Sequence, residues 1–81
     1  MTDHQALPVS GYKPQSQERV DLVNANKAIE EQTLRILDGL AARADVDKRW
    51  LAIGRTHLEQ AWMAINRSVF QPARAKLPGD V

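Results

Sequence analysis

Apolar residues along this chain fall into two long blocks, and in each the spacing is helical. The second block, Asp47 to Phe70 (DKRWLAIGRTHLEQAWMAINRSVF), is the one around which the rest is arranged. At about 100° per residue, Trp50, Leu51, Ile53, Gly54, His57, Leu58, Ala61, Trp62, Ala64, Ile65, Ser68 and Val69 share roughly half the circumference. Within that arc Leu51, Gly54, Leu58, Ala61 and Ile65 alternate by three and four, the seam of a close helix pair. The small residues at 54 and 61 admit a neighbouring backbone. Asp45 or Asp47 serves as N-cap, and Pro72 ends the helix because it biases Gln71 away from helical angles and has no N–H to donate.

The first block runs from Ser16, an N-cap with Glu18 in the first turn, to Ala42 (SQERVDLVNANKAIEEQTLRILDGLAA). Leu22, Ile29 and Ile36 recur at heptad spacing, joined on the same face by Ala25, Asn26, Thr33, Leu37 and Leu40. A second stripe through Val20, Val23, Lys27, Leu34 and Ala41 lies beside it. Together the two cover about 200°, whereas packing against one neighbour uses a stripe little over 100° wide. One partner helix therefore does not satisfy this surface. Glu31 and Arg35, correctly oriented at i and i+4, sit on the remaining polar face.

Residues 43–47 form a short polar connection, and two long helices joined so tightly lie antiparallel. The expected fold is all-α: an antiparallel two-helix hairpin (16–42 and 47–70) preceded by an extended N-terminal arm (1–15) and followed by a C-terminal tail (71–81). Pro8, Gly11 and Pro14 interrupt the arm, which has neither helical nor strand period. The whole is one domain, assembled as a homo-oligomer.

Size sharpens the oligomer expectation. A chain of 81 residues buries only about 60% of its unfolded surface, and with no cysteine it has no disulfide to compensate. The two histidines lie too far apart for a metal-ligand spacing, so neither metal nor cofactor is expected. Net charge is +1 with acids and bases interspersed, which argues against a DNA- or RNA-binding protein while allowing a small anionic ligand. The chain opens without a recognisable leader and holds no apolar run near the ~20 residues of a membrane span, so a soluble, cytosolic protein is the expectation.

Two cations stand out. Lys27 lies on an apolar stripe of the first helix, where its ammonium either reaches water or pairs with Glu30 or Glu31, or meets a phosphate. Arg67 lies between Met63 and Phe70 on a mixed stripe with Thr56 and Gln60. It either complements the helix C-terminus with its stem over apolar surface, or holds an anion. In the arm, Gly11-Tyr12-Lys13-Pro14 sets an aromatic ring and a cation on a stiffened segment, which is either a packing strand of chain or a lid that stacks on a flat ligand. His57 and the two tryptophans read as core residues. No phosphate loop, metal motif, nucleophile elbow or pair of acids around an apolar site is visible, so the chain is not expected to be an enzyme.

The arm Leu7-Pro8-Val9-Ser10-Gly11-Tyr12, the segment Asp21-Leu22-Val23-Asn24-Ala25-Asn26-Lys27, and Trp50 through Leu58 running into Asn66-Arg67-Ser68-Val69-Phe70-Gln71-Pro72 resemble, in order and spacing, the anti-CBASS cyclic-nucleotide sponges of tailed phages. Their hairpin domain is shared with sponges against the Thoeris signal. The resemblance implies a homohexamer in the host bacterial cytoplasm that binds cyclic dinucleotides such as 3',3'-cGAMP, and cyclic trinucleotides, without cleaving them. It implies cyclic-dinucleotide contacts from Tyr12, Lys27 and Gly11. Separate cyclic-trinucleotide pockets are implied at Arg67, with Asn66, Gln71 and Arg74 as neighbours. Two other readings stand beside it: an oligomeric helical module that binds a host protein, and a small nucleic-acid-binding regulator.

Overall fold

The structure is a computed structural model that describes residues 10–11 and 14–80. It is all-helical, with α1 (Gln17–Ala41) and α2 (Lys48–Phe70) and no strand among the described residues. Each start is set by a side-chain cap. The Ser16 hydroxyl accepts from the Arg19 N–H at 3.3 Å, and of the two aspartates that could open α2 it is Asp47 whose carboxylate accepts from Trp50 N–H at 3.0 Å.

The ends are handled differently. α1 has no basic residue in its last turn, and the ammonium of Lys48 takes that role from the start of α2, donating to the carbonyls of Ala41, at 2.8 Å, and Arg43. α2 closes at Gln71, a non-glycine residue in the left-handed region (φ 47°, ψ 59°) whose N–H reaches Arg67 O at 2.7 Å. Pro72 keeps Gln71 out of right-handed helical angles, which would bring the proline ring against the preceding backbone.

Two cross-links fix the register of the pair. Asn26 faces Asn66 near the termini of the chain, and Asp38 meets Arg55 at 2.5 Å near the connection. The pairing ascends one helix while it descends the other, so α1 and α2 are antiparallel. Along the pair the less exposed residues of α1 include Val23, Thr33, Leu34 and Leu37, and those of α2 include Leu51, Leu58, Trp62 and Val69. Glu31 and Arg35 pair at 3.0 Å on the outside of α1.

The hairpin seam uses only part of the apolar surface. Val23, at 4% exposure, is the only buried apolar side chain among the described residues. The heptad stripe of α1 lies open, with Leu22, Ile29 and Ile36 between 50% and 64% exposed. Three sequence expectations change accordingly. Trp50, read as core, is 63% exposed, with the Arg49 guanidinium 5.5 Å from its ring centre. His57 is exposed too. Gly54, Ala61 and Ile65, read as part of a close seam, are exposed, and a Cβ at Gly54 would meet nothing within 4 Å. The reason is common to all three: α1 covers a single stripe of α2, and the rest of the half-circumference arc is left exposed among the described residues. No described helix is long and apolar enough to cross a membrane.

Candidate functional site

Where the far end of α2 meets the first turns of α1, the chain forms a cleft of about 470 Å³. α1 contributes Val23, Lys27 and Glu30, spaced by four and three so that they stack on one helical face. α2 contributes Met63, Asn66, Arg67 and Phe70 by the same spacing, and Pro72 closes the end.

Several hydrogen bonds hold the walls. Asn26 donates its amide to Asn66 Oδ1 at 3.0 Å, across the helix pair. The last carbonyls of α2 are taken up from α1 and the residues just before it: Arg19 donates to Val69 O at 2.5 Å and Gln15 to Phe70 O at 2.9 Å. The arginine also brings a cation to the negative end of the α2 dipole. Beyond Pro72 the tail runs back over the arm, where Ala73 N–H donates to Gly11 O at 2.7 Å. Gly11 adopts φ 89°, and a Cβ there would lie 2.2 Å from Ala73 O, so this close approach requires glycine.

The charges in the cleft are uncommitted. Neither the Lys27 ammonium nor the Arg67 guanidinium has an ion pair or side-chain hydrogen bond among the described residues, and both are exposed. Five other basic side chains are engaged: Arg19 and Lys48 on carbonyls, Arg35, Arg43 and Arg55 on carboxylates. Two free cations over the apolar surfaces of Val23, Met63, Phe70 and Pro72 make a receptor for a small amphipathic anion, with charge for phosphate and apolar area for a ring. Asn66, with its oxygen occupied by Asn26, has its NH2 group left to donate.

The site residues expected from sequence distribute as follows. Lys27, Arg67 and Asn66 meet in this one cleft, although the resemblance assigned the lysine and the arginine to different ligands. Gln71 is exposed beside Pro72, and Gly11 is tied to the tail one residue further on. Arg74 is exposed on the tail. Tyr12 lies outside the described residues. Glu30 and Pro72 were not read as lining a site, one having been taken as an ion-pair partner and the other as a helix stop. The Met63, Arg67, Phe70 stripe was the sequence signal for this wall.

No metal-binding group of three or more acidic, histidine or cysteine residues occurs among the described residues. No curated protein and no solved structure matches the chain. The Acb2/Tad1 hairpin domain matches residues 5–70, which takes in both helices and the described part of the arm, and the chain belongs to that family.

Proposed function

We propose that this chain is an anti-defence sponge: it binds cyclic di- and trinucleotide messengers, holds them without cleavage, and so keeps CBASS effectors from being activated. The observation that carries this reading is the cleft, in which the unpaired cations Lys27 and Arg67 stand over the apolar surfaces of Phe70, Met63 and Pro72. A cyclic nucleotide has the matching parts, with phosphates that seek point charges and forks and bases that seek flat apolar contact. In this reading Tyr12, Lys27 and Gly11 serve cyclic dinucleotides, and Arg67, Asn66 and Gln71 serve cyclic trinucleotides.

The working form is a homohexamer in the host bacterial cytoplasm. The exposed heptad stripe Leu22, Ile29 and Ile36 supports assembly, since it is periodic apolar surface that the hairpin leaves uncovered. Assembly matters to function as well. A dissociation constant of ~1 nM corresponds to about −12 kcal/mol, which a few stacking and phosphate contacts reach only when the pocket is preformed.

The test is ligand release. Purified protein is mixed with 3',3'-cGAMP, the unbound fraction is removed, the protein is digested with protease, and the recovered small molecule is run on a column. Intact nucleotide appearing only after digestion is the expected result. Linear or hydrolysed product would make the chain an enzyme, and a nucleotide never retained would return it to the host-protein module. Tyr12→Ala and Lys27→Ala are expected to abolish retention while the assembly survives.

A further inference from the structure

Glu30 is the one lining group that an anion receptor does not account for. The residue is half-buried and lines the cleft from α1, the helix that also carries Lys27, with Arg67 on α2. It accepts no hydrogen bond and forms no ion pair among the described residues, although two unpaired cations line the same space. The neighbouring Glu31, by contrast, is engaged with Arg35 on the outer face. A negative charge in a phosphate site weakens every phosphate it faces, so its presence is costly unless it meets a donor on the ligand.

Resting on the sponge reading, we propose that Glu30 sets base preference: its carboxylate accepts the adjacent N1–H and N2–H donors on the Watson–Crick edge of guanine. An ionised carboxylate is acceptor-only with two oxygens, which suits two parallel N–H groups. Adenine presents a single N6 amine beside an unprotonated ring nitrogen, and that nitrogen's lone pair faces the carboxylate repulsively. Asn66 stands on the opposite wall with its NH2 free, available to a purine acceptor once Asn26 holds its oxygen. A pocket whose walls carry an acceptor on one side and a donor on the other discriminates bases, whereas cations and apolar surface alone do not.

The experiment measures affinity of the full chain for c-di-GMP and c-di-AMP, in wild type, Glu30→Gln and Glu31→Gln. Glutamine keeps the shape and helix preference of glutamate. The readout is the ratio of the two affinities, which any loss of folded protein would leave unchanged. The expected result is a guanine preference in wild type that falls roughly tenfold or more in Glu30→Gln, the scale of losing one bidentate base contact. c-di-AMP affinity is unchanged or higher in that variant, and Glu31→Gln keeps the wild-type ratio. If both ligands tighten equally in Glu30→Gln, the carboxylate only repels phosphate and the proposal is overturned. An unchanged ratio, or no guanine preference in wild type, overturns it too, while the sponge reading stands. Wild-type protein that holds neither dinucleotide overturns the proposal, and the sponge reading falls with it only if 3',3'-cGAMP is not retained either.

Discussion

The backbone N–H of Ala73 donates to the carbonyl of Gly11 at 2.7 Å, tying the tail after α2 to the arm before α1. The two residues are far apart in sequence, yet the bond joins the segment next to Tyr12 to the segment next to Pro72, a cleft residue. Gly11→Ala removes this arrangement twice over, by the 2.2 Å approach of a Cβ to Ala73 O and by the left-handed φ of 89°. The conformational term alone is about 1–2 kcal/mol. Exchange of the Ala73 amide with deuterium should therefore accelerate in Gly11→Ala, while amides in the middle of both helices keep their protection. Equal protection at Ala73 in the two proteins would mean that the tail is held by something else.

The interhelical Asn26 to Asn66 bond makes a different prediction, because one of its members lines the cleft. Asn26→Ala leaves Asn66 Oδ1 without its partner in a half-buried position, a loss of about 1 kcal/mol in urea unfolding. It also frees the Asn66 amide to rotate, so ligand retention should weaken beyond what the stability loss explains. Asn24→Ala, at an exposed position of the same helix, is the matched control and should change neither quantity. Equal effects from the two variants would remove any positioning role for Asn26.

How legible these features were depends on the range of the interaction. Ser16 and the alternative Asp47 were readable as caps because a cap is decided within three residues. The Glu31 and Arg35 pair was readable from i,i+4 spacing. Excess apolar surface on α1 was readable as well, since width of a stripe is a property of one helix. Which stripe the hairpin takes was not, and so Trp50 and His57 were assigned to a core that a single α1 does not extend to. Across the chain, Arg19 on Val69 O, Gln15 on Phe70 O and Ala73 on Gly11 O join residues that no local pattern connects. The cleft was half legible: Met63, Arg67 and Phe70 share a stripe on one helix, but their meeting with Lys27 and Glu30 depends on the register set by Asn26 with Asn66 and Asp38 with Arg55.

In the connection, Asp45 is held by Arg43 through two hydrogen bonds of 2.9 and 2.7 Å, and this contact lowers its carboxyl below the usual range. A carboxyl depressed in the folded state contributes stability that is present above its unfolded pKa and is lost as pH falls through the folded value. The window therefore lies on the acid side of ordinary aspartate titration. Both side chains are exposed, so the effect is local. Followed by carboxyl carbon NMR, Asp45 should titrate below an ordinary aspartate and return to the usual range in Arg43→Gln. An unchanged titration in that variant would show that the guanidinium is not the cause.

Ile29 tests the oligomer, because it is central to the open heptad stripe and 51% exposed between Leu22 and Ile36. Covering these three side chains in a second copy removes roughly half of each from water, about 1 kcal/mol apiece by area. Placing a carboxylate there reverses the balance, since an unpaired charge in a helix interface costs several kcal/mol. Ile29→Glu should sediment at the mass of one chain while wild type sediments as a hexamer. Helix content of that variant should fall at low concentration, as a hairpin whose only buried apolar residue among those described is Val23 has little core of its own. Ligand retention should fall with it, because a pocket preformed by assembly is what makes tight binding attainable. Wild type that itself sediments as one chain would leave the apolar stripe without a second copy to cover it, and Ile29→Glu that assembles normally would move the interface to the uncovered arc of α2 around Gly54, His57 and Ala61.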